Sequence, residues 1–299
     1  MADEGAESLV TEIPRLRPRA ADGNKGSYGK VLVIAGSRGM AGAAILAGSA
    51  ALRAGAGLVQ VAVPEAIADV VASAQPCYMT AALPCDPNGR ITRDAIPEVA
   101  RLVKSADVVV VGPGLGQNED IADLLSSLIV SLGCPLLLDA DALNAVAAHP
   151  ALLDRLVGPH DDILITPHPG EFGRLTKLDT KAVQNRRREL ATAYALKHGV
   201  VLVLKGAGTI VTDGRRVFVN TTGNPGMATG GTGDVLSGIL GALIAQGLAT
   251  FDAAVLGVHV HGMAGDLARD QVGEVSLIAS DLLVHLPEAF RAVLEGGSR

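Results

Sequence analysis

Short, continuous apolar runs that end in glycine or proline, each followed by a segment of helical character, constrain this chain more than any other feature. VLVIAG (31–36), LVQVAVP (58–64), DVVVVGPGLG (107–116), PLLLDADALN (135–144) and DILITPHPGE (162–171) all have this form. A strand buried on both faces reads as uninterrupted Val, Ile and Leu rather than as an alternation. VVLVLKGAGTIVTDG (200–214) reads as a strand, a glycine turn and a second strand, and VFVNTTGNPGMATGGTGD (217–234) as a strand feeding a long glycine-rich loop. Between them AGAAILAGSAALRAG (41–55) reads as a helix whose small residues allow close packing, and 119–132, 141–148 and 180–198 read as helices. Very apolar 234–247 and then 251–269 and 280–294 complete the set. This alternation predicts an α/β fold with a mainly parallel central sheet covered on both faces. The short gap within 205–220 predicts an antiparallel hairpin. In open α/β sheets ligands bind beyond the carboxyl ends of the strands, where these glycine loops lie.

Composition narrows the class. A chain of 299 residues, 48% hydrophobic and 19% charged, suits one large globular domain. No composition break marks a second domain, so residues 1–24 read as a polar lead-in and 25–299 as a single catalytic domain. The Cys residues stand at 77, 85 and 134 without a CxxC pair, which suits a reduced cytosolic protein and argues against a structural zinc site. MADEGAESLV lacks the basic flank and apolar stretch of a signal peptide. The apolar window 235–248 is broken by Ser237, Gln246 and three Gly, short of the roughly 20 residues a membrane span needs. A net charge of −6, 2% aromatics and no Trp give no basis for nucleic-acid binding. The expectation is a cytoplasmic protein with neither membrane nor nucleic-acid partner.

The strongest local signal is Thr229-Gly230-Gly231-Thr232-Gly233-Asp234 leading into an apolar helix. Glycines let the backbone approach a ligand, and amides at a helix N-terminus favour anions. Gly230, Gly231, Thr232 and Gly233 thus form a candidate anion hole for a transferring phosphoryl group. Asp234, kept ionised by the same helix end, can accept a proton from a substrate hydroxyl. The plainer account is a glycine turn with Asp234 as a helix cap. Lys205-Gly206-Ala207-Gly208-Thr209 at another strand end offers a point charge and a hydroxyl near phosphates, or merely a tight turn with a solvated Lys.

In Thr166-Pro167-His168-Pro169-Gly170-Glu171, two prolines stiffen a loop that presents His168 and Glu171. His168 can bind a phosphate or amide and Glu171 a metal through water, or Glu171 can simply open the next helix. Gly112-Pro113-Gly114-Leu115-Gly116 is a phosphate-cradling turn or a plain connection. Asp139 and Asp141 can serve Mg²⁺ through water, or Asp141 can cap a helix; the metal ligands stay unassigned. Other motifs fail. GSYGK (26–30) has Val31 where a P-loop needs Ser or Thr, and neither GxGxxG after the first strand nor GxSxG is present. His259 and His261 do not share a helix face, so they are no metal pair.

Taken together, KGSYGKVLVIAGS (25–37), MAGAA (40–44), VGPGLG (111–116), LDADALN (138–144), TPHPGEF (166–172), KGAGT (205–209) and GNPGMATGGTGDVLSG (223–238) resemble the ADP/ATP-dependent NAD(P)H-hydrate dehydratases. The resemblance spans roughly residues 13 to 290. It implies a ribokinase-like three-layer α/β/α fold and a repair reaction on the hydrated nicotinamide nucleotides NADHX and NADPHX. The nucleotide phosphorylates the ring hydroxyl, and loss of phosphate restores NADH or NADPH. By the same resemblance Lys205, Gly206, Ala207, Gly208, Thr209 and Gly233 contact the adenine nucleotide, and Ala43, Ala44, Gly114, His168 and Asp234 contact the hydrated dinucleotide. Mg²⁺ and ADP (or ATP) are the implied cofactors. The Ala- and Arg-rich composition leans toward a bacterial source and hence ADP. Family members of this type commonly form tetramers. The fused forms carry an epimerase domain that the short lead-in cannot supply, so a separate epimerase is expected.

Two other readings compete. A small-molecule kinase of the same fold, of the hydroxyethylthiazole or hydroxymethylpyrimidine type, would share Asp234 but yield a stable phosphorylated product. A nucleotide sensor would keep the pocket without turnover, which the presence of Asp234 argues against.

Overall fold

The computed structural model of the chain describes residues 7–131, 133–154 and 162–295. Its first half runs β1 (Ser8–Leu9), β2 (Lys30–Ile34), α1 (Ala41–Arg53), β3 (Leu58–Pro64), α2 (Ala68–Ala74), β4 (Met79–Leu83), α3 (Ile96–Val103), β5 (Val108–Val111) and α4 (Glu119–Ser131). There follow β6 (Leu136–Leu138), α5 (Ala140–Ala148), α6 (Ala151–Asp154), β7 (Ile163–Ile165), α7 (Pro169–Thr176), α8 (Thr180–Asn185) and α9 (Arg187–His198). The chain ends with β8 (Val201–Leu204), β9 (Ile210–Thr212), β10 (Arg216–Val219), α10 (Thr232–Ala245), α11 (Thr250–Val272) and α12 (Ala279–Leu294).

These strands form one sheet in the order β1-β10-β9-β8-β7-β6-β5-β2-β3-β4. All neighbours are parallel except β9, which runs antiparallel to both β8 and β10, as the expected hairpin. Successive strand side chains point to opposite faces. Val31 and Val33 of β2 accordingly join a core formed with α1, α10, α11 and α12. Leu32 and Ile34 join the opposite core, with α3, α4, α5, α7 and α9. The result is the expected three-layer α/β/α sandwich. From β2 the chain lays down β3 and β4 on one side and then returns to place β5 on the other. A crevice at such a reversal of strand order is where this architecture binds ligands.

The small residues of α1 serve the close packing the sequence suggested. A Cβ on Gly238 of α10 would stand 2.1 Å from the carbonyl oxygen of Ala47, so the two helices meet backbone to backbone.

Three stretches depart from expectation. The helix expected over 180–198 is two helices, divided at Arg186, whose φ and ψ of −134° and 34° leave the helical region. The lead-in contributes β1, whose Ser8 and Leu9 pair in parallel with Arg216 and Val217. Residues 65–106, left unassigned in the sequence, hold α2, β4 and α3. Residue 132 of the helix expected over 119–132, and residues 1–6 of the lead-in, lie outside the described residues.

Candidate active site

The loops after β2 and β5 meet at the reversal point. The Gly36 amide donates to the Pro113 carbonyl at 2.8 Å, and Ser37 Oγ donates to the Gly114 carbonyl at 2.8 Å. Gly114 rests on the start of α1, so closely that a Cβ there would lie 2.8 Å from Cβ of Ala43. Ala43 and Gly114, both expected to face the substrate, are therefore neighbours; Ala44, expected to do the same, is instead fully buried in the core against the sheet and offers a ligand no surface.

Asp234 lies in the first turn of α10, whose N-cap is Gly231 with φ of 93°. That left-handed conformation favours glycine. Val235 is the residue whose amide reaches back to Gly231, at 3.1 Å; the amides before it belong to the first turn, which has no acceptor within its own helix. A Cβ on Gly230 would meet nothing within 4 Å, so the loop is open on that side. Thr232 Oγ1 lies 3.1 Å from the carbonyls of both Met227 and Thr229 and donates within the loop, so only its amide is left for an anion.

The pKa of Asp234 is pushed up to about 7, by burial first and by the carboxylate of Asp139 next, with Lys205 opposing. The expectation that the helix end keeps Asp234 ionised is thus corrected. Burial and like charge outweigh the helix end.

Lys205, at the end of β8, is not solvated. Its Nζ lies 2.7 Å from Asp139 Oδ1 and 3.8 Å from Glu171 Oε2. Burial works against its charge, but Asp139 and Glu171 more than compensate and hold its pKa above the ordinary value. The same ammonium is 3.4 Å from where a Cβ on Gly233 would stand, so Lys205 and the anion-hole loop share one space. The rest of the 205–209 loop is braced by Arg187, which sequence reasoning missed. Its Nη2 donates to the Leu204 carbonyl at 3.0 Å and, more weakly, to that of Gly208 at 3.4 Å. The Thr209 hydroxyl is taken up by the Gly206 carbonyl at 2.9 Å. Ala207, between them, is exposed at the loop tip.

His168 and Glu171 cap α7 reciprocally. His168 Nδ1 accepts from the amides of Gly170 and Glu171 at 3.0 and 3.3 Å, and Glu171 Oε2 accepts from the His168 amide at 2.7 Å. Nδ1 therefore carries no proton, and Nε2, 3.3 Å from Glu171 Oε1, carries it. Burial, aided by Lys205 and Arg174, lowers the His168 pKa against the pull of Glu171.

The carboxylates considered for Mg²⁺ all have protein partners. Asp139, 1% exposed, accepts from Lys205 and, through Oδ2, from Ser237 Oγ at 2.7 Å. Asp141 accepts from the Gly116 amide at 2.8 Å and from Asn144. Glu171 is engaged with His168. Among the described residues no group of three or more His, Cys, Asp or Glu is placed to hold a metal ion.

Sequence reasoning also missed how the glycine-rich loop is anchored to α11. Asn220 Nδ2 donates to the Val258 carbonyl at 3.2 Å, Thr222 Oγ1 to that of His259 at 2.9 Å, and the Gly223 amide to Asp266 at 2.9 Å. His261 Nε2 lies 2.9 Å from the Thr232 carbonyl.

A parallel sheet between two helical layers, with a glycine loop and an acidic first turn at its carboxyl edge, defines a ribokinase-like α/β protein. A ribokinase-like superfamily protein from Enterococcus faecalis superposes with a TM-score of 0.77 at 27% identity, over 92% of this chain and 91% of that one. Residues 31–288 match the Carb_kinase family model, described as NAD(P)H-hydrate dehydratase, and the chain belongs to that family.

The ADP/ATP-dependent NAD(P)H-hydrate dehydratase of Bacillus subtilis, co-crystallised with ATP and Mg²⁺, superposes with a TM-score of 0.78 at 29% identity, over 93% of this chain and 94% of that one. The bifunctional NAD(P)H-hydrate repair enzyme Nnr of Moorella thermoacetica is 44% identical over 287 residues, 95% of this chain and 53% of the relative. The Escherichia coli enzyme of the same description is 40% identical over 268 residues, 89% of this chain and 48% of the relative. The chain thus spans about half the length of the curated relatives it matches. A hydroxyethylthiazole kinase from Pyrococcus horikoshii, at 16% identity and a TM-score of 0.57, shares the fold alone. Among the described residues no helix is long and apolar enough to cross a membrane.

Proposed function

We propose that this chain dehydrates NADHX and NADPHX to NADH and NADPH at the expense of an adenine nucleotide, with ADP the preferred donor. The observation that carries the reading is Asp234, a carboxylate with a pKa of about 7 at the amide end of α10. A proton acceptor tuned near the working pH is what attack by an alcohol needs.

Asp234 takes the proton from the ring hydroxyl as its oxygen attacks the terminal phosphorus of the nucleotide. The amides of Gly230 to Gly233 face the charge that builds on the transferring group. Hydroxide is a poor leaving group and phosphate a good one. The phosphorylated ring therefore loses phosphate with the C–O bonding pair, and loss of a neighbouring ring proton restores the double bond. Lys205 to Thr209 hold the nucleotide. Ala43, Gly114 and His168 hold the dinucleotide, His168 donating from Nε2. Among the described residues none form a cage for Mg²⁺, and the ion would enter on the nucleotide's phosphates, keeping water in its shell as Mg²⁺ commonly does.

Absorbance at the reduced-nicotinamide band tests the reading, with protein, Mg²⁺, hydrated NADH and either ADP or ATP. A nucleotide-dependent rise supports it. A phosphorylated product accumulating without NADH would turn it into the small-molecule kinase. The same proposal carries a cytoplasmic homotetramer, which sedimentation equilibrium tests, working alongside an epimerase that supplies the usable epimer.

A further inference from the structure

His261 sits on α11, a helix that also holds the glycine-rich loop by hydrogen bonds through the Val258 and His259 carbonyls and Asp266. Its Nε2 is 2.9 Å from the carbonyl oxygen of Thr232. A carbonyl has no proton to give, so Nε2 carries one and donates it. The imidazole is a neutral donor across the working range, because burial pulls its pKa down to about 4, the Thr232 carbonyl resisting and Lys205 assisting.

The atom it holds is informative. The Thr232 carbonyl and the Gly233 amide belong to one planar trans peptide, in which C=O and N–H point in opposite directions. Thr232 opens α10, so its carbonyl points along the helix and the Gly233 N–H points out of the helix N-terminus; His261 is a further side-chain hold on that same oxygen. Lys205 Nζ also stands close to Gly233, 3.4 Å from the position a Cβ there would take. A hydrogen bond on the oxygen also polarises the N–H of the same peptide, making it a stronger donor.

We propose that His261 is a positioning residue for phosphoryl transfer, its imidazole holding the Thr232–Gly233 peptide so that the Gly233 amide faces the transferring phosphoryl group. The inference rests on the proposed function for its purpose but not for its geometry. Asn220, Thr222 and Asp266 pin the loop that precedes the helix; His261 alone among these reaches the peptide that carries the amide.

The test uses the full chain and two variants. His261→Phe keeps the ring and removes the donor, whereas His261→Gln returns a donor near the Nε2 position. With carbonyl-labelled Thr and nitrogen-labelled Gly, the Thr232–Gly233 amide is one of three Thr–Gly correlations in the spectrum. Its proton should move upfield in His261→Phe and recover in His261→Gln. In turnover, His261→Phe should lower kcat about 10- to 100-fold, less than outright loss of an oxyanion donor, while KM changes less than about threefold. A folded His261→Phe variant with an unmoved Gly233 amide and near-normal kcat would overturn the proposal. Should that variant fail to fold, the imidazole nitrogen shifts of the unmodified protein decide. A protonated Nε2 with bare Nδ1 supports it, and the opposite tautomer sinks it. If the protein proves inactive as a dehydratase while the Gly233 amide still responds, the functional reading fails and the positioning role stands.

Discussion

Oδ1 of Asp139 lies 2.7 Å from Nζ of Lys205, and the second oxygen of the same carboxylate accepts a 2.7 Å hydrogen bond from Ser237. One side chain thereby ties the ends of β6 and β8 to α10, one turn below Asp234. With exposures of 1% for Asp139 and 19% for Lys205, the pair is largely removed from water. Asp139→Ala leaves an ammonium without its main partner and should lower unfolding stability by about 3 kcal/mol. Urea titration at an unchanged m-value measures this. A loss below about 1 kcal/mol would show that Lys205 finds a substitute among its neighbours.

Asp234→Asn keeps the size and shape of the side chain and removes the proton acceptor. Turnover should fall on the order of 10²–10⁴-fold, with nucleotide affinity little changed. Calorimetry with ADP alongside the absorbance assay separates the two effects. Turnover close to that of the unmodified protein would remove Asp234 from the mechanism.

The raised pKa of Asp234 sets a pH dependence of activity. The acceptor must be ionised, so kcat/KM should climb about tenfold per pH unit below the pKa of about 7 and level off above it. In Asp234→Asn the residual rate should lose that rise. A profile already flat from pH 5 upward would contradict the environment described for this carboxylate.

The same shift affects stability with the opposite sense. Asp234 binds its proton more tightly folded, at about 7, than at its ordinary 3.8. Between those values the folded state holds more protons than the unfolded one, so this group's contribution falls as pH rises from about 4 to 7. Asp234→Asn should accordingly melt at a higher temperature than the unmodified protein at pH 8, with the gap closing toward pH 5. Equal melting points at pH 8 would count against the burial of an ionised group there.

Gly238→Ala tests the contact between α1 and α10. The new methyl would stand 2.1 Å from a backbone oxygen, which no rotamer change can relieve. Overpacking of this kind destabilises by about 1–3 kcal/mol. A variant as stable as the parent would mean that the helices separate without penalty.

The central strands were legible because each is covered on both faces, and an uninterrupted run such as VVVV (108–111) has few alternatives. β4 was not, since as an edge strand it reads MTAAL with Met79 exposed, and β1 is only two residues long. α3 carries a signal of its own, with Val99, Leu102 and Val103 spaced to share one helical face, but at eight residues it is short for a periodicity to stand out. At the site, TGGTGD announced itself through local composition. The partners of its neighbours did not, because Asp139 and Lys205 are 66 residues apart and His261 and Thr232 are 29 apart, the first pair brought together only by the sheet and the second only by the packing of α10 on α11. The pKa of Asp234 was misjudged for the same reason: a helix end is visible in sequence, whereas burial beside a second carboxylate is not.

The backbone contact at Gly238 leaves α1 and α10 no room to slide. The floor of the cleft, from Ala43 and Gly114 on one side to Asp234 on the other, therefore behaves as a fixed anvil rather than a jaw.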